Sequence, residues 1–416
     1  MKSVQELPGR ADSLIVRTRV RNYSLIVVAM GSIALLLNAT LAGFPVALSG
    51  DVVLPDFMAH WTGGRLVWLG LVDDLYDPAA QTSVQVAAVP TTPGLAWFVS
   101  PPLTALLFLP FGALPYGWAV CAWTAVSVAA LGLALRWTKP LLTDRRSEHR
   151  LFVLVMCSTP PFLELVGAGQ DTALALLTVM LSQRLAQRGR RAGAGAVLAA
   201  GLYKPHLFVL VPVMLLVQRR YRALAALAGT SLLAILVTLP FVGVGAWTNW
   251  ARALASPLYS DQVQVSQTWK MQSVSALSTA LGAPSNGAYV YLALGAAAFV
   301  WSARRFREDT ARIWALGLMT TVVFSPHAME YDLVLLVPVA AYIFGRVNTK
   351  TMRLLAVATS VLLWSVPVRH ALAGLGPHAQ LLSAPWSALP LLGLWVLLAN
   401  PEQTIRATVQ DSCDLN

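Results

Sequence analysis

Five carboxylates, Asp51, Asp56, Asp73, Asp74 and Asp77, share one loop with a single base, Arg65. Around Asp56 the chain reads Pro55-Asp56-Phe57-Met58-Ala59-His60-Trp61. A carboxylate at the edge of an apolar element can take a proton from a hydroxyl, the general-base step of a group transfer. The same position also suits an N-cap, because Asp is favoured there. Phe57, Trp61, Leu66, Trp68 and Leu69 then predict an amphipathic helix in the headgroup plane. Spacing does not separate the base from the cap. Asp77-Pro78 is a turn signal, and Asp73, Asp74 and Asp77 read as solvated turn residues.

Four further places carry chemistry-bearing residues. Lys204 is the only charge between Gly193 and Val217. It either snorkels to the interface or meets an anion such as a lipid-linked phosphate. Gln170, after Gly167 and Gly169, is a hydrogen-bonding group for a sugar or phosphate, or simply part of a turn. Lys270 and Arg65 are further cations expected on the same side. His327 stands in Ser325-Pro326-His327, with Glu330 and Asp332 close behind. It reads either as a satisfied structural histidine or as a site residue. No HExxH spacing supports a metal site there, and no metal ligand is assigned. No cofactor is called for; the acidic loop is compatible with a divalent cation, but no residue pattern supports one.

The elements that position these residues are apolar. Of 416 residues, 56% are hydrophobic and only 12% charged, and mean hydropathy is +0.63. Soluble domains carry about 25% charged residues, so the composition predicts an all-α polytopic membrane protein. The net charge of +11 lies in short clusters between apolar runs, the pattern of membrane-protein loops. No aromatic-interleaved basic stripe accompanies it, which disfavours nucleic acid. Cys121, Cys157 and Cys413 form no CxxC or Cys/His metal spacing. Walker, GxGxxG and GxSxG motifs are absent, which disfavours nucleotide-driven transport and soluble Rossmann chemistry.

Apolar runs recur from 24–44 to 386–400, several shorter than the roughly 20 residues of a straight span. Short, proline-interrupted runs are tolerated where neighbours or a wet cavity satisfy the backbone. Run 101–136 is too long for one span, and Pro101, Pro102, Pro110 and Pro115 point to a re-entrant or interfacial piece. Basic clusters at Arg10–Arg21, Arg136–Arg150, Arg184–Arg191, Arg219–Arg222, Arg304–Arg312 and Arg346–Arg353 are assigned to the cytoplasm. The first run reads as an uncleaved span. One membrane domain is expected over 23–400, with loop 45–100 on the far side and cytoplasmic segments at 1–22 and 401–416. The candidate residues then fall on the non-cytoplasmic side, with the protein in a bacterial-type inner membrane. Polar residues at membrane depth also line transport paths. A carrier or flippase of a lipid-linked or small polar substrate is therefore the competing reading. It calls for inverted repeats, which the sequence does not display.

The ordered motifs resemble glycosyltransferase family 87, the polyprenol-phosphate-mannose-dependent group of the GT-C superfamily. They are Asp56-Phe57, Leu75-Tyr76-Asp77-Pro78, Ser100-Pro101-Pro102-Leu103, Phe108-Leu109-Pro110 and Leu114-Pro115. Next come Gly169-Gln170, Tyr203-Lys204-Pro205, Met271-Gln272-Ser273, Ser325-Pro326-His327 and Tyr331-Asp332-Leu333. The resemblance implies a GT-C-like bundle of about 11–13 transmembrane helices with a long first non-cytoplasmic loop. It implies an active site at the first long loop. It also implies an inverting hexosyltransferase that uses a polyprenyl-phosphate-linked sugar donor, such as a mannose donor, and a lipid or glycan acceptor. Asp56 maps onto the family's catalytic aspartate. Lys204, His327, Gln170, Tyr331 and Asp332 fall in the matching motifs and, with Arg65, are the candidates for binding substrate or donor phosphate.

Overall fold

The computed structural model describes residues 7–92, 95–142, 146–261, 267–284, 287–346, 349–375 and 381–400. No strand forms among them; Val46–Val52 and Met271–Met329 are isolated bridges. The helices are α1 (Leu7–Thr40), α2 (Pro55–Trp68), α3 (Pro78–Ala88), α4 (Pro102–Gly112), α5 (Tyr116–Arg136) and α6 (Arg146–Cys157). They continue with α7 (Pro160–Ala168), α8 (Thr172–Gln187), α9 (Arg191–Leu198), α10 (Val211–Val217), α11 (Tyr221–Leu254) and α12 (Val274–Ala280). The last are α13 (Ala288–Ala303), α14 (Thr310–Val323), α15 (Val337–Arg346), α16 (Lys350–Trp364), α17 (Val366–Ala373) and α18 (Ala388–Ala399). The protein is an all-α polytopic membrane protein.

Among the described residues, four helical stretches are long and apolar enough to cross a membrane, or up to six if each bent pair is one span. This is fewer than the 11–13 expected. Proline explains much of the difference, because it removes a helical N–H and clashes with the preceding turn. Pro160 opens α7 after a 60° bend from α6, and Pro367 lies just inside α17 after a 48° bend from α16. Run 101–136 splits at Pro115 into α4 and α5. Other apolar runs form helices of 10–17 residues. Only 6% of the most apolar window of α1 and 11% of that of α11 is buried. Those surfaces suit hydrocarbon rather than water. The basic segment expected as a separate N-terminal arm is, over its described part, the first turns of α1. Residues 1–6 and the tail expected at 401–416 lie outside the described residues.

Helix α2 forms where the sequence places it, but its setting differs. Phe57, Met58, His60, Trp61, Thr62, Gly63, Gly64 and Leu66 are buried, so protein encloses most of it. Trp68 at its C-terminal end and the following Leu69 remain about half exposed, as an interfacial helix would be. Glycine permits this enclosure. A Cβ on Gly112 would stand 2.2 Å from the Gly64 carbonyl carbon, so α2 and α4 cross backbone to backbone. Phe57 stacks on Trp123 of α5 at 5.6 Å and meets Phe108, Phe111 and Tyr116 within 6.2 Å.

Candidate active site

Asp56 is positioned by the entry into α2. Leu54 takes the left-handed conformation (φ 57°), unusual for a branched side chain, and Pro55 begins the helix. The Tyr116 hydroxyl lies 2.7 Å and 3.0 Å from the carbonyl oxygens of Val53 and Leu54 and fixes this turn. Leu54 occupies the cap position, so Asp56 is not the N-cap. It sits in the first turn, where the helix dipole favours a negative charge.

Its partner comes from the end of α7. Gly169 closes that helix with φ 75°, and a Cβ there would lie 2.8 Å from the Cβ atoms of both Leu54 and Phe57. Only glycine meets both demands. Trp123 Nε1 donates to the Gly169 carbonyl at 2.8 Å. Gln170 is thereby set against α2, and its Nε2 donates to Asp56 Oδ2 at 2.7 Å. The amide orientation follows from its neighbours. A carboxylate needs the NH2 group, and the Lys204 ammonium, 3.4 Å away, needs the oxygen.

Lys204 is the hub behind this contact. Its Nζ donates to Asp171 Oδ1 at 3.0 Å, Asp332 Oδ1 at 2.9 Å and Thr172 Oγ1 at 2.8 Å. It also lies 4.9 Å from the centre of the Tyr331 ring. Burial alone would lower its pKa, but Asp171 and Asp332 outweigh burial and raise it. Burial alone would raise Asp332; Lys204 foremost, with His206 and Thr172, instead holds it below the usual carboxylate range. An ammonium has three hydrogens, and the protein already engages all of them. Asp332 is fully buried and also accepts from Thr172 Oγ1 at 2.6 Å and Met329 N at 3.1 Å. It is the counter-charge of Lys204 and does not line the cavity described next. Arg65 is not brought here either. Nine residues beyond Asp56, about 13 Å along the helix, it donates to the Gly112 carbonyl at 3.2 Å.

Asp56, Gln170, Lys204, His327 and Tyr331 converge on one cavity of about 570 Å³, joined by His60, Asp171, His206 and Lys270. His60 stands one helical turn after Asp56 and stacks on Phe108 at 4.7 Å. Its Nε2 is 3.3 Å from Asp171 Oδ2. Burial, the largest influence, lowers its pKa and keeps it neutral, so Asp171 holds the proton on Nε2. His327 is pushed down to about 3, first by burial and then by His206, and is neutral too. His206 and His327 meet edge to face at 5.6 Å. Among the described residues, His60 Nδ1, Trp97 Nε1 and His327 Nδ1 are buried without hydrogen-bond partners, and His206 Nε2 lies 3.8 Å from Asp332 Oδ2; all four residues line this cavity. Buried polar atoms rarely stay unpaired, so this wall offers hydrogen-bonding groups to water or a polar ligand.

Met271-Gln272-Ser273 reaches the same region through backbone pairing. Gln272 N donates to the Ala328 carbonyl at 2.8 Å, beside the Met271–Met329 bridge. Asp171, His60 and His206 were not singled out from the sequence. His60 was readable from its four-residue spacing to Asp56 on one helix face. Asp171 and His206 adjoin Gln170 and Lys204 in sequence, but nothing local marks their contacts. Among the described residues, no group of three or more His, Cys, Asp or Glu side chains could hold a metal ion.

Comparison with known proteins adds a family. The model of glycosyltransferase family 87 matches residues 98–326, more than half of the chain. The match includes Gln170, Asp171 and Lys204, while Asp56 and His327 lie outside it. No curated protein and no solved structure matches the chain. The chain belongs to glycosyltransferase family 87 and is a glycosyltransferase built into a membrane.

Proposed function

We propose that this cavity transfers a hexose, such as mannose, from a polyprenyl-phosphate-linked donor to a hydroxyl of a lipid or glycan acceptor, with inversion at the anomeric carbon. The observation that carries the reading is the setting of Asp56. One carboxylate oxygen is held by Gln170, Oδ1 has no partner among the described residues, and the residue lines the cavity. In the reaction, Asp56 takes the acceptor hydroxyl proton as that oxygen bonds to the anomeric carbon. The bond to phosphate oxygen breaks on the opposite face, and its electron pair leaves with the lipid phosphate. A single positioned base suffices, because the phosphate leaves without a protonating acid.

The surroundings support a lipid-borne monophosphate donor. Leu254 and Leu292 line the cavity from α11 and α13, while Val290 and Leu294 of α13 are about 60% exposed on its outer face. A donor lipid thus has hydrocarbon-facing surface beside the cavity. N–H groups of His327 and Trp97 line the cavity beside the leaving phosphate, while His206, 3.8 Å from Asp332, and Lys270, 3.5 Å from Glu164, reach it by leaving those carboxylates. Lys204 contributes by its field, and reaches a phosphate only by releasing one of its present partners. The positive clusters favour placing this face outside the cytoplasm.

The test is Asp56→Asn protein in lipid nanodiscs, supplied with hexosyl-phosphoryl polyprenols and extracted lipid acceptors. Transfer should fall by about 10²- to 10⁴-fold, the usual worth of a general base, with the thermal midpoint retained. Full transfer by this variant rejects Asp56 as the base.

A further inference from the structure

At the far end of α8 from the catalytic cavity lies a second, larger cavity of about 1100 Å³. The two ends are well separated. Thr172 at the start of α8 contacts Lys204, whereas Gln183 and Gln187 near its end line the second cavity. The 16 residues of α8 span about 24 Å.

The wall of this cavity carries Arg191, Arg219, Arg220 and Arg222, from the turns that open α9 and α11. None of the four forms an ion pair among the described residues. Arg220 donates to Thr310 Oγ1 at 2.9 Å, and both burial and the charge of Arg191 push its pKa down. Across from them stand Glu308 and Asp309. Asp309 is already engaged, accepting from Arg312 N and the Tyr342 hydroxyl, each at 3.0 Å. Helices α9 and α11 begin without side-chain caps, so their first-turn N–H groups add positive ends to the same wall. Four guanidinium groups against two carboxylates leave the concavity net positive, which suits an anion.

The surroundings specify the kind of anion. Leu216 and Tyr221, close to this arginine turn, are 53% and 60% exposed. From Tyr221 an apolar row continues through Leu232 and Leu236 on one face of α11, both more than half exposed. That row rises about 22 Å, comparable to much of a bilayer's hydrocarbon. A free anion gains nothing from it, whereas acyl chains would lie along it.

We propose that the second cavity binds the phosphate headgroup of an anionic membrane lipid, with Arg191, Arg220 and Arg222 on the phosphate and the acyl chains along α11. The lipid would sit at the opposite end of α8 from sugar transfer, and is separate from the donor.

The test uses full-length protein in neutral detergent, titrated with phosphatidylglycerol, phosphatidylcholine or inorganic phosphate. Binding is read by native mass spectrometry and by thermal unfolding. Phosphatidylglycerol should remain as a discrete adduct and raise the unfolding midpoint, and the other two should not. Arg191→Gln/Arg222→Gln, at two exposed positions, should weaken it roughly 25-fold, about fivefold per arginine. Arg304→Gln/Arg305→Gln, basic but off this cavity, should leave it unchanged. Equal loss in both double variants would assign the effect to diffuse surface charge. A full response to inorganic phosphate would make this a free-anion site. Unchanged affinity in Arg191→Gln/Arg222→Gln, or equally tight phosphatidylcholine, would overturn the proposal.

Discussion

Gln170 Nε2 donates to Asp56 Oδ2 at 2.7 Å, joining residues 114 positions apart. The contact leaves the amide oxygen toward Lys204, so the proposed base and the buried charge cluster meet through one side chain.

Removing that link should reduce turnover more than stability. A hydrogen bond to a charged group is worth about 1.5–3 kcal/mol. Gln170→Ala should therefore lower kcat roughly 10- to 100-fold, with KM little changed and the thermal midpoint near wild type. A rise in KM alone would assign Gln170 to substrate binding instead.

The Lys204 cluster should show strong coupling. Lys204→Met strands Asp171 and Asp332, and breaking a buried ion pair from one side costs about 3–5 kcal/mol. Lys204→Met/Asp332→Asn should recover part of the loss, and a double-mutant cycle in denaturant would measure it. Strict additivity would contradict the buried pairing.

Stability should also depend on Glu330. Its carboxyl is pushed up to about 8, first by burial and then by Glu164, against partial relief from Lys270 and Arg369. The fold thus favours the protonated form. The benefit is full below the ordinary value of 4.5 and is lost as pH rises from there through about 8. Glu330→Gln cannot ionise, so its thermal midpoint should decline less than wild type across that window. Parallel curves would assign the decline to other groups.

Gly169→Ala should damage the site through the backbone. It combines a left-handed conformation with a Cβ placed 2.8 Å from two Cβ atoms. The cost should exceed about 1 kcal/mol, and because Gln170 follows directly, activity should fall with stability. Denaturant midpoints and transfer assays on the same preparation would show whether the two losses travel together.

The sequence was most readable where one residue type answers one local demand. Apolar composition marked the membrane class, and the prolines of 101–115 marked the break in run 101–136. The bends before α7 and α17 were not marked, and Asp77, read as a turn residue, instead caps α3, accepting from Ala79 N and Ala80 N. Asp56, Gln170, Lys204, His327 and Tyr331 were each marked, and the fold brings them to one wall. What stayed hidden was pairing. Asp332 was a binding candidate because it falls close behind His327 in the Tyr331-Asp332-Leu333 motif, yet the turn from Glu330 to Leu336 points it inward at Lys204. Arg65 was a candidate as a cation expected on the same side, yet helical geometry carries it a long way from Asp56. The shortfall in long spans has a similar origin. Apolar runs fit the protein interior as well as lipid, and length alone does not say which will enclose them.

The aromatic packing under Asp56 has one more consequence. Phe57, Phe108, Phe111, Tyr116 and Trp123 interlock directly behind the carboxylate. Rigid rings leave that backbone little freedom, so the place of the Asp56 carboxylate is decided when the protein folds. In the proposed reaction the acceptor must therefore bring its hydroxyl to a fixed point.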